Sequence, residues 1–180
     1  MPWYALFVKT GEEERVRFFL DKLIPDANRK ILIPKRRLIE RRQGKAVECM
    51  RPLLPGYVLF RTERGMDVRY YYELKKIPGL LRILKGEQDF LYIKESEIAV
   101  ILALTGGEDV IGFSELYKKG DEIHVVSGPL KDLEGIIEVF DYRKKRVKVC
   151  FELGGQTKRV DLGAEWVQKD VGTPPAPKKS

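Results

Sequence analysis

Two clusters of cationic side chains carry the most distinctive chemistry in this 180-residue chain. The first runs from Arg29 to Arg51. It holds nine basic residues, among them Lys35, Arg36, Arg37, Arg41, Arg42 and Lys45, opposed only by Glu40 and Glu48. The second is the run Arg143-Lys144-Lys145-Arg146, to which Lys131, Lys148, Lys158 and Arg159 are assigned as part of the same surface. Ammonium and guanidinium groups neutralise phosphates and release condensed counterions, so such density suits a polyanion. Arginine adds paired hydrogen bonds to guanine edges and stacks on bases. A solvated hairpin is the competing explanation for either run.

Catalysis finds no comparable constellation. There is one histidine, His124, and the carboxylates of Glu12, Glu13 and Glu14 sit at a helix start without companions. Cys49 and Cys150 lie far apart in apolar-patterned segments, which disfavours a disulfide or a zinc site and suits a reducing cytosol. No metal or cofactor is expected, and an enzyme ranks last among the readings. The net charge is +7, concentrated before residue 114. No apolar run approaches the roughly 18 residues of a membrane span, and Met1-Pro2-Trp3-Tyr4 lacks the layout of a secretion leader. The expected location is the cytoplasm.

The elements that must position these charges fall into two groups. Trp3 to Lys9 reads as a strand. Val16, Phe19, Leu20 and Leu23 then share one helical face, and Pro25-Asp26 ends that helix. Ile31 to Arg42, a Gln43-Gly44-Lys45 turn and Ala46 to Met50 form a basic hairpin. Tyr57 to Arg61 is a further strand. Val68, Tyr71, Tyr72 and Lys75 mark a short helix, Leu80 to Leu84 a strand, and Ile98, Ile101, Leu102 and Thr105 a last helix from near Lys94. Mixed elements with hairpins make residues 1–106 an α+β unit, an antiparallel sheet flanked by helices.

From 107 to 116 the composition reads as a linker. Turn signals then recur at short intervals: Gly120-Asp121, Ser127-Gly128-Pro129, Glu134-Gly135 and Gly154-Gly155. The short strands between them, Ile123–Val126, Ile136–Phe140, Val147–Phe151 and Arg159–Leu162, make residues 117–171 a small all-β barrel. Residues 172–180, with three prolines and two lysines after Thr173, read as a disordered tail.

Three stretches carry a resemblance. Trp3-Tyr4 with Val8-Lys9-Thr10-Gly11, then Arg51-Pro52-Leu53-Leu54-Pro55-Gly56-Tyr57-Val58-Leu59-Phe60, resemble the N-terminal (NGN) domain of NusG-type transcription elongation factors. Gly120 to Ile137, with its Ser127-Gly128-Pro129 turn and Gly135, is similar to a KOW motif. The three occur in family order over residues 2–170. Pro52, Pro55, Gly56, Gly128 and Gly135 are read as fold positions.

The resemblance implies an RNA polymerase-binding N-terminal domain that grips the clamp helices through an apolar patch. The matching positions are Leu54 and Tyr57, with Trp3, Tyr4 and Tyr71 as neighbours. Tyr70, Tyr71 and Tyr72 cannot all face inward on one helix. Where the family usually carries an apolar residue before a barrel turn, this chain has Leu153-Gly154-Gly155-Gln156, which argues against the ribosomal and termination-factor partnerships of housekeeping members. With the charge clusters, this points to a specialised paralogue of the LoaP type, a branch that binds an RNA hairpin. The expected function is polymerase binding, recruitment by a nascent RNA hairpin, and suppression of pausing and termination. The N-terminal hairpin would lie near the upstream DNA fork. A housekeeping NusG factor and a ribosome-associated KOW protein are the alternatives, and a monomer is the expected state.

Overall fold

The computed structural model describes residues 1–24, 28–84 and 92–167. The end of the first helix at Pro25-Asp26 and the 172–180 tail lie outside the described residues. In chain order the elements are β1 (Trp3–Val8), α1 (Glu13–Leu23), β2 (Lys30–Leu32), β3 (Lys35–Arg42), β4 (Lys45–Pro52), β5 (Tyr57–Arg61), α2 (Val68–Lys75), β6 (Leu80–Ile83), β7 (Tyr92–Ile93) and α3 (Glu95–Thr105). They continue through β8 (Val110–Ile111), β9 (Ser114–Lys119), β10 (Glu122–Ser127), β11 (Ile137–Asp141), β12 (Arg146–Leu153) and β13 (Gln156–Trp166), with a 3-10 turn at Glu134–Ile136. The chain is α+β followed by an all-β unit, as its patterning predicts.

The first sheet has the order β2-β5-β1-β6, with β7 also on β1, and its pairs are antiparallel. Side chains alternate across a strand, so β1 and β5 serve two cores. Leu6, Val8, Val58 and Phe60 join Val16 and Leu20 of α1 and Tyr70 and Leu74 of α2. Trp3, Ala5 and Leu59 face the other way, toward Ile98, Ile101 and Leu104 of α3.

Two helical faces differ from the periodicity reading. In α1 Val16 and Leu20 are buried, but Leu23, in the last turn, is exposed. In α2 Tyr70 and Leu74 are buried, while Val68 and Tyr72 stand in solvent. The Asp67 side chain accepts from Tyr70 N at 2.7 Å and sets where α2 begins. The spacing of four from Tyr70 to Leu74 then selects the inward face. As expected, at least one tyrosine of the triplet is exposed.

The basic hairpin is β3–β4, in register from Lys35 opposite Pro52 to Arg42 opposite Lys45. The strand expected over 31–42 is interrupted, because the chain leaves the first sheet after Leu32 and re-pairs from Lys35. Within 107–116 the chain forms β8, which pairs in parallel with β3 through Lys35–Val110 and Arg36–Ile111, and the start of β9. The barrel sheet runs β10-β9-β13-β12-β11, with β13 parallel to β9 and the other neighbours antiparallel. Among the described residues no helix is long and apolar enough to cross a membrane.

Candidate nucleic-acid interface

The barrel does not stand apart from the first unit. One apolar cluster runs from Trp3, Leu54, Leu59, Ile98 and Ile101 into Leu116, Val147, Val149, Phe151 and Leu153 of the barrel. Polar contacts seal its edges. The two-residue turn between β12 and β13 is Gly154-Gly155, with φ of +60° and +70°, the left-handed pair that a tight hairpin of this kind requires. Its two backbone N–H groups donate to the Glu97 carboxylate, each at 3.1 Å. Glu97 also accepts from Lys94 N at 3.2 Å, so the carboxylate that closes the first turn of α3 also holds the barrel's hairpin. Gly154 is thus part of a contact inside the chain, and a Cβ there would press on Leu84.

This packing places Trp3, Tyr4, Leu54, Tyr57 and Tyr71, the five residues that the resemblance assigns to a polymerase-binding patch. Leu54 is 5% exposed and lies in the shared cluster, with Tyr57 half-buried against it. The Lys158 ammonium of β13 sits 4.8 Å from the Tyr57 ring centroid, and Phe7 meets that ring edge-on at 5.3 Å. Trp3 is buried in the same cluster. Tyr4 is buried too, and burial raises its pKa. By strand alternation Tyr4 points to the α1–α2 side of the sheet, where Tyr71 packs. Trp3, Leu54 and Tyr57 therefore share one side of the sheet, and Tyr4 and Tyr71 occupy the other.

The same packing brings the two cationic runs together. The turn from Tyr142 to Lys145 links β11 to β12 and lies against the β3–β4 hairpin. Arg41, Glu40, Ile39 and Ala46 of the hairpin, with Arg143, Lys144 and Lys145 of the turn and Arg146 at the start of β12, line one cleft of about 550 Å³. A smaller cleft of about 120 Å³ adjoins it, lined by Val139, Asp141, Lys144, Arg146, Lys148 and Asp161. Two arginines tie the hairpin to the barrel beside these clefts, Arg146 lining both and Arg36 lining neither. Arg36 donates to the Asp161 carbonyl oxygen. Arg146 donates to the Ile39 carbonyl oxygen at 3.5 Å and lies 3.8 Å from Asp161 and 4.0 Å from Glu40. Burial lowers the Arg36 pKa and the nearby Arg146 charge adds to that shift, partly offset by Asp161. The Nε atoms of Arg36 and Arg146 have no hydrogen-bond partner among the described residues.

The remaining cations differ in how far the chain neutralises them. Arg37 makes a two-pronged pair with Glu48, at 2.7 and 3.0 Å, and its guanidinium also lies over Phe113. Lys35 pairs with Glu14. Arg159 donates to Glu138 at 3.1 Å. Arg42 reaches Glu40 at 3.7 Å, but Arg51 holds that carboxylate more closely, at 2.8 and 3.0 Å. The Arg51 hydrogen bond is the chief cause of a Glu40 pKa lowered to about 2, so Glu40 is an anion at any physiological pH. In the turn, the ion pairs of Lys144 and Lys145 among the described residues are long and exposed, 3.6 Å to Asp141 and 3.8 Å to Glu165. Exposed pairs of this kind are worth no more than about 1 kcal/mol. Arg41, Lys45, Arg143 and Lys148 are exposed and have no ion pair among the described residues. Lys131 is exposed on the β10–β11 connection and does not line either cleft.

The family model described as transcription termination factor nusG matches residues 1–102. The chain belongs to the NusG family. It is 30% identical over 174 residues to the transcription termination/antitermination protein NusG of Haemophilus influenzae, covering 93% of each chain. It is 26% identical over 175 residues to the protein of that name from Pseudomonas aeruginosa, covering 93% of this chain and 97% of that one. Among solved structures, one titled "Domain interaction in Thermotoga maritima NusG" superposes with a TM-score of 0.55 at 23% identity, over 90% of this chain and 93% of that one. The fold of this NusG-family protein therefore extends through the barrel.

Sequence reasoning missed three features of the site. It grouped the cations by position in the chain but not by the cleft they share. It did not single out Glu97, whose capping role is local and whose barrel contact is not. It also passed over Tyr142, although an aromatic residue directly before a four-residue basic run is a visible signal for nucleic acid.

Proposed function

We propose that this chain is a specialised NusG-type elongation factor that binds RNA polymerase through the Leu54–Tyr57 face and is recruited by a folded nascent transcript, suppressing pausing and termination. The observation that carries the reading is the shared cleft: hairpin Arg41 and turn residues Arg143 to Arg146 face one another across one cavity. Scaffold stability does not call for like charges gathered there, whereas a phosphate backbone does. The deep major groove of an A-form helix hides its bases, so a thin basic turn suits a loop, a bulge or a groove end. Filter binding tests this directly. A folded hairpin should bind at least tenfold more tightly than a scrambled RNA of equal length. Equal affinities would leave a housekeeping elongation factor, and preference for forked duplex DNA would move the ligand to the upstream DNA.

In the docked form the barrel covers Leu54 and crosses Tyr57 with Lys158. Polymerase binding through that face therefore requires the barrel to swing away, which exposes aromatic and apolar anchors of the kind that dominate interfaces and parts Arg41 from the turn. The docked chain captures the transcript, and Arg143, Lys144 and Lys145 hold it once the barrel has opened. Leu54→Ala combined with Tyr57→Ala is expected to abolish co-purification with polymerase, while circular dichroism shows the first unit still folded. Undiminished co-purification would place the polymerase contact elsewhere.

A further inference from the structure

We infer that Tyr142 and Trp166 form a stacking platform for an unpaired nucleobase, at the start of the turn whose Arg143, Lys144 and Lys145 line the cationic cleft. The inference rests on the RNA-binding reading above and adds to it the structural class of the ligand: a strand that presents at least one unstacked base. Three aromatic rings converge at this end of the barrel. Phe140 meets Tyr142 edge-on at 4.4 Å, Tyr142 lies 4.6 Å from Trp166, and Phe140 lies 5.6 Å from Trp166. Phe140 and Trp166 are half-buried and support the group from below. Tyr142 is 51% exposed, its ring held from two sides and its remaining surface turned to solvent.

The surroundings select the occupant. Tyr142 opens the four-residue turn that carries Arg143, Lys144 and Lys145. The turn is fixed by Lys144 N donating to Asp141 Oδ1 at 3.0 Å, by Lys145 at φ +51°, and by Ala164 N donating to the Lys145 carbonyl oxygen at 3.0 Å. The platform and the cleft are thus two ends of one rigid turn. A base on Tyr142 places its own sugar-phosphate strand beside three exposed cations, and the strand continues toward Arg41. An apolar protein partner would have to desolvate those cations without compensation, whereas a nucleotide satisfies ring and charge together.

The test uses the full chain and two probes of equal length, oligo(A) of 12 nucleotides and the same sugar-phosphate backbone without bases. Base-aromatic stacking tolerates any sequence, so oligo(A) is an adequate probe. The expected result is that oligo(A) binds roughly tenfold more tightly than the abasic strand. Tyr142→Ala should remove that difference, and Tyr142→Phe should restore it. The salt dependence should be unchanged in both variants, because no phosphate contact is lost. Oligo(A) should also quench tryptophan emission in the wild type and not in Trp166→Phe. Equal binding of the two probes by the wild type would overturn the platform. So would a Tyr142→Ala chain that still prefers oligo(A). In both outcomes a loss of hairpin binding on reversing Arg143 and Lys145 would leave the RNA reading standing. Absence of any RNA binding by the wild type would remove both.

Discussion

Gly163→Val is expected to release the barrel from the first unit while leaving the barrel folded. Gly163 lies in β13 between buried Leu162 and Ala164, and its backbone is not left-handed, so a β-branched residue can occupy the strand. The obstacle comes from the other unit. A Cβ at this position would collide with the carbonyl oxygen of Arg37 and with the Phe113 ring. The phenyl ring can turn aside, but the Arg37 carbonyl belongs to β3, which is held by β4 on one side and β8 on the other. Overpacking of this kind costs about 1–3 kcal/mol when the surroundings can yield, and more when they cannot. That shifts the ratio of docked to open molecules by roughly five- to 150-fold. Small-angle scattering should show a larger radius of gyration. Amide exchange should accelerate along β3 and the start of α3 but not within β12. Polymerase co-purification should rise. An unchanged radius of gyration would mean that the interface yields at this point, or that docking does not limit access to Leu54.

The second large effect is expected from charge reversal in the cleft. The triple variant Arg41→Glu, Arg143→Glu, Lys145→Glu should weaken hairpin RNA binding by about 100-fold or more at moderate salt. It should also lower the slope of log affinity against log salt by about 2–3, since each neutralised phosphate contributes roughly 0.7–0.9. The informative control is Arg37→Glu with Arg159→Glu. Both arginines already hold a glutamate on the sheet surface, Glu48 and Glu138 respectively, and neither lines the cleft. Their reversal should change the slope by much less. An equal loss in both variants would mean that RNA binding depends on net charge, and the cleft would lose its standing as the site.

The contrast between these two groups of arginines measures what the chain alone can disclose. Basic runs, strand alternation in β1 and β5, and the turn residues of the barrel are local properties, and the local physics of side-chain charge, pleat and turn geometry settles them before any folding. Hence the α+β unit, the small barrel and the family resemblance were all legible. Local spacing could not say that Arg37 is spent on Glu48 while Arg41 remains open, because Glu48 and Glu40 reach Arg37 and Arg51 only through the hairpin register, as Asp161 of β13 reaches Arg36 only through the docked barrel. Nor could it separate Tyr4 from Trp3, one residue apart yet on opposite faces of a sheet that supports two cores. Tertiary contact decided which charges are paired within the chain and which apolar residues lie covered. Coulombic pairing and burial depend on distances across the fold, and those distances exist only once β3 has paired with β4 and the barrel has packed against α3 and β3.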